Sequence, residues 1–189
     1  MKAGTLHRRS RMAENNLGCI HIYYGNGKGK TTCSVGLAVR AAGSGKKVLF
    51  IQFMKTGKSS EIKMIETLPG IEVMEAPRMK KFSFMMNDEE KQEMLEADNK
   101  ALMEISDKVS SGEYDLLVMD ETLGSCHKGF LDEKLLIDFL KNKPEHLEVV
   151  MTGRHPDDTL LKMADYVTEM HKVKHPYDQG INARRGIEF

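Results

Sequence analysis

Eight residues, Gly25 to Thr32 (GNGKGKTT), have the types and spacing that binding a polyphosphate requires. In a glycine-rich turn successive backbone N–H groups can point inward at an anion, and a following helix adds the positive end of its dipole. A lysine inside the turn, Lys30, can reach the outer phosphates, and the next hydroxyl, Thr31, can ligate magnesium. A strict G-x-x-x-x-G-K-T motif puts its first glycine at position 24, where this chain has Tyr24, with Gly25 one step later. The spacing therefore predicts a tighter cradle, or one that holds its phosphates differently. An inert Gly/Lys-rich surface turn is the competing reading. The apolar run before it (Cys19 to Tyr24) and the small and apolar residues at helical spacing after it (Cys33 to Ala42) argue against that.

Asp120 and Glu121 close another apolar run, YDLLVMD from Tyr114 to Asp120. A carboxylate there can hold magnesium opposite Thr31, directly or through water. Glu121 has a second role open to it, activation of water, as in many ATPases. An acidic strand end is common by itself; its pairing with the glycine-rich turn favours magnesium. Arg154, in TGR, stands at the end of a further strand, where a guanidinium can contact phosphate or ribose oxygens. Arg40, late in the cradle helix, reads as a solvated face.

Ala76 to Met86 (APRMKKFSFMM) has no clean helical or strand period. Its basic residues interleaved with aromatics suit stacking on single-stranded nucleic acid. Its methionines suit a large flat ligand, and the whole segment also reads as a lid over the core. His127, His146, His171, His175, Cys126 and Asp178 form no recognisable catalytic triad. No nucleophile or base stands out, which fits a reaction whose attacking group arrives with the substrate.

The elements that must position these residues alternate along the chain. Strands are expected at Lys47 to Phe53, Ile71 to Met74, Tyr114 to Asp120, Leu147 to Thr152 and Tyr166 to His171, besides the first. Helices are expected over a short stretch ending at Pro69-Gly70, over Asp88 to Val109 with Asn87 and Glu90 as a capping box, over Leu131 to Lys141, and over Pro156 to Ala164 with proline in its first turn. This alternation predicts an α/β fold, a mostly parallel sheet with helices on both faces. Ligands of such folds bind beyond the carboxyl ends of the strands, where Gly25 to Thr31, Gln52 to Lys55, Asp120-Glu121 and Thr152 to Arg154 fall. At 189 residues the chain suits one domain, expected over 18–189 behind a flexible basic tail at 1–17. Its 28 basic and 28 acidic residues give no global field for nucleic acid or an anionic membrane. Three scattered cysteines and the absence of an apolar leader or spanning run predict a soluble, cytoplasmic protein.

GNGKGKTT, FIQFMK, VMDE, TGR, ADYVTEM and VKHPYDQGINARRGIEF resemble, in order and spacing, the ATP:corrinoid adenosyltransferases of bacterial cobalamin biosynthesis and salvage. The resemblance covers about residues 18–189 and implies a phosphate-loop, RecA-like fold. It implies transfer of the 5′-deoxyadenosyl group of ATP to Co(I) of a reduced corrinoid, cobalamin or a precursor, with release of tripolyphosphate. Gly25, Asn26, Gly27, Lys28, Gly29, Lys30, Thr31, Thr32 and Arg154 would then bind ATP, and Thr31 with Glu121 would hold Mg2+. The family's F-T-W sequence, which lines the corrinoid face, matches Phe82, Ser83 and Phe84 here, in a chain with no tryptophan. The short N-terminal segment implies an exposed or dimer-completed corrinoid site, and the family implies a homodimer served by an electron-donor flavoprotein. The competing readings are a phosphate-loop ATPase or small-molecule kinase using Glu121 as base, and a nucleotide-dependent binder of single-stranded nucleic acid.

Overall fold

The computed structural model describes residues 18–188 apart from positions 56, 58, 80 and 82. The expected tail at 1–17 and Phe82 lie outside the described residues.

Six strands form one sheet: β1 (Ile20–Tyr24), β2 (Val48–Gln52), β3 (Ile71–Met74), β4 (Leu116–Asp120), β5 (Glu148–Gly153) and β6 (Tyr166–Glu169). Their order is β3-β2-β4-β5-β1-β6, and every neighbouring pair is parallel. The helices are α1 (Lys30–Gly43), α2 (Ser60–Ile65), α3 (Asp88–Ser110), α4 (Thr122–His127), α5 (Glu133–Asn142) and α6 (Asp158–Met163), with 3-10 turns at Ser83–Met85 and Pro176–Gln179.

Side chains alternate across a strand, so a sheet covered on both faces needs apolar residues at consecutive positions. β2 and β4 are buried throughout. Leu49, Ile51, Leu117 and Met119 face a core closed by Leu102 and Ile105 of α3 and Leu136 and Leu140 of α5. Val48, Phe50, Leu116 and Val118 face the other way, onto Ala38 and Ala41 of α1 and Ile62 and Ile65 of α2. The fold class agrees with the sequence.

The long helix begins as expected: the Asn87 side chain accepts from Glu90 N and the Glu90 carboxylate accepts from Asn87 N, each at 2.8 Å. Two expectations are corrected and one element is new. Pro156 does not open α6; Asp157 is the N-cap, accepting from Thr159 N at 2.7 Å, and the proline precedes it. β6 stops at Glu169 because the next residues turn to meet the glycine-rich loop. The residues after Asp120 form the short helix α4, which the sequence pattern did not reveal. The three cysteines are free, and among the described residues no helix is long and apolar enough to cross a membrane.

Candidate active site

The glycine-rich loop joins β1 to α1, and the helix starts earlier than its apolar period suggested, so Lys30, Thr31 and Thr32 form its first turn. Gly29 caps it in the left-handed region with φ 117°. The loop is braced from outside by the chain leaving β6. Gly27 N donates to Met170 O at 2.6 Å, and the Asn26 side-chain oxygen accepts from Lys172 N at 2.8 Å. A Cβ on Gly25 or Gly27 would fall 2.5 or 2.7 Å from Met170 O, so this close approach excludes any larger residue. Lys30 is buried and folds over the loop, its Nζ donating to Gly27 O at 2.8 Å. Burial pushes its ammonium down from the usual lysine value, as does Arg154 nearby, while Glu121 and Asp120 oppose the shift.

Asp120, fully buried at the end of β4, gathers the rim. Its Oδ1 accepts from Thr152 Oγ1 of β5 at 2.6 Å. Its Oδ2 accepts from Gln52 Nε2 of β2 at 2.8 Å and from Thr31 Oγ1 of α1 at 3.1 Å. Thr152 Oγ1 also accepts from Glu121 N at 3.0 Å, and Gln52 Oε1 accepts from Ser59 Oγ at 2.9 Å. Buried polar groups are stable when paired in this way. The network joins the loop to β2, β4 and β5, so four rim segments far apart in sequence meet.

Glu121 follows directly, at φ 60°. Met54 after β2 and His155 after β5 share that left-handed conformation, at φ 57° and 54°. Three non-glycine residues held there at one rim mark local strain, the kind that concentrates at functional sites. Burial raises the Glu121 carboxyl above its usual range, and Asp120 raises it further; Lys55, Lys30 and Arg154 act in the opposite sense. Arg154 itself is exposed. Thr31, Asp120 and Glu121 offer hard oxygen donors of the kind magnesium takes, and a cation beside them would offset the burial of the Glu121 charge. Among the described residues no group of three or more His, Cys, Asp and Glu side chains is arranged for a metal ion. Magnesium here would complete its coordination with waters and nucleotide oxygens, its usual habit with phosphate substrates.

Of two open clefts, the first lies beside this centre. It is about 170 Å³, lies beside Thr31 and Thr32 and is bordered by Lys55, Ser59 and the C-terminal residues Ile187 and Glu188. The other, about 180 Å³, lies between Pro77, Arg78 and Lys81 of the irregular segment and Glu90, Met94 and Ala97 of α3. Phe84 sits in the first 3-10 turn and is 83% exposed.

The profile of the family ATP:corrinoid adenosyltransferase BtuR/CobO/CobP matches residues 16–189. The chain belongs to this family. It is 30% identical to a corrinoid adenosyltransferase of Escherichia coli K12, over 96% of this chain and 90% of that one. It is 32% identical to the corrinoid adenosyltransferase CobA of Salmonella typhimurium, over the same shares, and 28% identical to a Pseudomonas aeruginosa corrinoid adenosyltransferase, over 100% of this chain and 92% of that one. It is thus an enzyme of the corrinoid adenosyltransferase type.

Within this adenosyltransferase the loop residues, Thr31, Glu121 and Arg154 share one rim, with Phe84 on the separate segment. Sequence reading placed Gln52 and Thr152 on this rim but not their bonds to Asp120, and it missed the bracing by Met170 to Lys172 and the return of the C-terminus to Thr31. Gln52 carried a usable signal, since a polar residue ending an apolar strand needs a buried partner. The bracing had none, because β6 pairs with β1 from across 145 residues of chain.

Proposed function

We propose that the protein transfers the 5′-deoxyadenosyl group of ATP to Co(I) of a reduced corrinoid and releases tripolyphosphate. The observation that carries this is the family match over residues 16–189, on a chain whose rim joins a phosphate-type loop to Asp120 and Glu121. The substrate's Co(I) supplies the electron pair that attacks C5′. The C5′–O bond breaks, and its electrons leave with the triphosphate.

No protein base is required for that step, in keeping with a rim that offers cations and amides. Gly25, Asn26, Gly27, Lys28, Gly29, Lys30, Thr31 and Thr32 are proposed to bind the triphosphate with Arg154. Asn26 and Gly27 contribute mainly by shaping the loop, since the Asn26 oxygen and the Gly27 N–H are taken by Lys172 and Met170. Lys30 would exchange Gly27 O for a phosphate oxygen, and its charge then stabilises the leaving group. Thr31 and Glu121 are proposed to hold magnesium with Asp120 behind them; when bound, the ion neutralises charge on the departing triphosphate. Phe82 and Phe84 are proposed to line the corrinoid, with a flavoprotein as electron donor, a homodimer as the working form and the cytoplasm as its place. Residues 18–189 then act as one catalytic domain.

Anaerobic incubation with magnesium-ATP and chemically reduced cob(I)alamin tests the proposal. The expected products are light-sensitive adenosylcobalamin and intact tripolyphosphate. Orthophosphate or ADP without a cobalt–carbon product would instead establish a phosphate-loop ATPase or kinase.

A further inference from the structure

The buried face of α3 runs Met94, Asp98, Ala101, Leu102, Ile105, Val109, an apolar stripe at helical spacing with one carboxylate in it. Asp98 is fully buried. Its Oδ2 accepts from Ser125 Oγ of α4 at 2.6 Å, and its Oδ1 has no hydrogen-bond partner. Among the described residues no cation pairs with it; the titratable groups towards it are Cys126 of α4 and, beyond that thiol, Asp132 and Glu133 at the start of α5. An ionised Asp98 would therefore be an uncompensated charge held by one hydrogen bond, and a proton is the group that removes it.

The position of this carboxylate matters for the reaction. Ser125 lies in the first turns of α4, and its N–H donates to Glu121 O at 3.0 Å. One helical turn before Asp98, Met94 packs with Met79 of the irregular segment and Phe130. Phe130 N in turn donates to Ser125 O at 2.9 Å. Asp98 thus occupies the joint between the segment expected to cover the corrinoid and the helix that Glu121 caps.

We propose that Asp98 is a positioning residue for adenosyl transfer, whose protonated side chain, bonded to Ser125, keeps α4 and therefore Glu121 in register with the corrinoid-covering segment. This rests on the reading of Glu121 as a magnesium ligand. Burial raises the Asp98 carboxyl from an ordinary value of 3.8 to about 7. With the folded value above the unfolded one, the support Asp98 gives is complete below the unfolded value and is lost as pH rises through about 7. Above that, the buried charge is relieved by separating α3 from α4 or admitting water, either of which shifts Glu121.

Magnesium-ATP binding to the full chain, measured by calorimetry from about pH 6 to about pH 8, tests this, that range spanning the Asp98 transition. The wild-type affinity is expected to fall on the order of fivefold across that range, a size in keeping with coupling through a packed network. Asp98→Asn keeps the shape of the neutral acid and should hold the low-pH affinity throughout. Ser125→Ala, which breaks the same bond from the other side, should bind weakly with no such step. Parallel pH profiles in wild type and Asp98→Asn would overturn the positioning role while leaving the site intact. A lower melting temperature for Asp98→Asn with an unchanged profile would overturn it too, by making Asp98 merely structural. An absence of magnesium-ATP binding at every pH would overturn the reading of Glu121 itself.

Discussion

At the carboxyl end of the sheet Asp120 takes hydrogen bonds from β2, β5 and α1 and is sealed from water. At the opposite end, carboxylates do similar joining on the surface. Glu148 accepts from His21 Nε2 at 2.5 Å and from Cys19 N at 2.7 Å, and Glu72 of β3 accepts from Tyr114 Oη at 2.5 Å and Lys108 Nζ at 2.6 Å. Both ends staple strands. At the rim, however, the residues beside the staple, Lys30, Glu121 and Arg154, carry charges shifted or clustered by one another, and the backbone there is strained. The lower staples tie β1 to β5, and β3 to the end of α3 and the approach to β4; the rim staple holds the proposed reaction site.

The largest effect expected from this difference is at Lys30. Lys30→Ala removes a cation from the leaving triphosphate and should lower kcat/KM for ATP by on the order of a hundredfold to a thousandfold with prereduced corrinoid. Unchanged turnover would refute the assignment of the loop.

Next, the two staples can be cut in parallel. Thr152→Val leaves Asp120 Oδ1 and Glu121 N short of a buried partner and should cost about 1–3 kcal/mol. Tyr114→Phe removes one bond to Glu72, which water can replace, and should cost about 1 kcal/mol or less. Chemical denaturation gives both stabilities, and steady-state assays should show activity lost beyond the stability change only for Thr152→Val. Equal losses of activity would erase the distinction between the two ends.

Phe84→Ala alters an exposed residue and should move stability by less than about 0.5 kcal/mol. It should slow adenosylation that starts from Co(II) and spare the reaction of prereduced Co(I). Equal loss in the two assays would remove Phe84 from the corrinoid face.

The smallest effect concerns acid. Hydrogen bonds from Lys108 and Tyr114 hold the Glu72 carboxyl below its usual range. Its folded value is thus below the unfolded one, so its stabilisation is present above the unfolded value and is lost as pH falls through the folded one. Glu72→Gln should flatten the acid limb of the stability curve slightly and leave the Lys30 and Thr152 effects unchanged; a pH-independent difference from wild type would show that the hydrogen bonds, not the charge, matter.

The alternation of strands and helices was legible because β2 and β4 are apolar on both faces and α3 carries a full capping box. The rim was legible too, because polar residues ending apolar strands can only gather at one end of a parallel sheet. α4 was not, since six residues of mixed character carry no helical period. Nor was the bracing of Gly25 and Gly27 by Met170, a contact between backbone atoms that no side-chain pattern encodes. Asp98 was overlooked within a helix read from its capping box, although a carboxylate inside its apolar stripe is itself a signal.

The central claim is that the bond broken lies between C5′ and the triphosphate, with Co(I) as the attacking group. The most direct measurement uses ATP carrying heavy oxygen in the bridge between C5′ and the α-phosphorus, prereduced corrinoid, and mass analysis of both products. The account predicts that the heavy oxygen leaves entirely with tripolyphosphate. Heavy oxygen retained on the nucleoside would mean that a phosphorus–oxygen bond is cut, and would contradict adenosyl transfer at this rim.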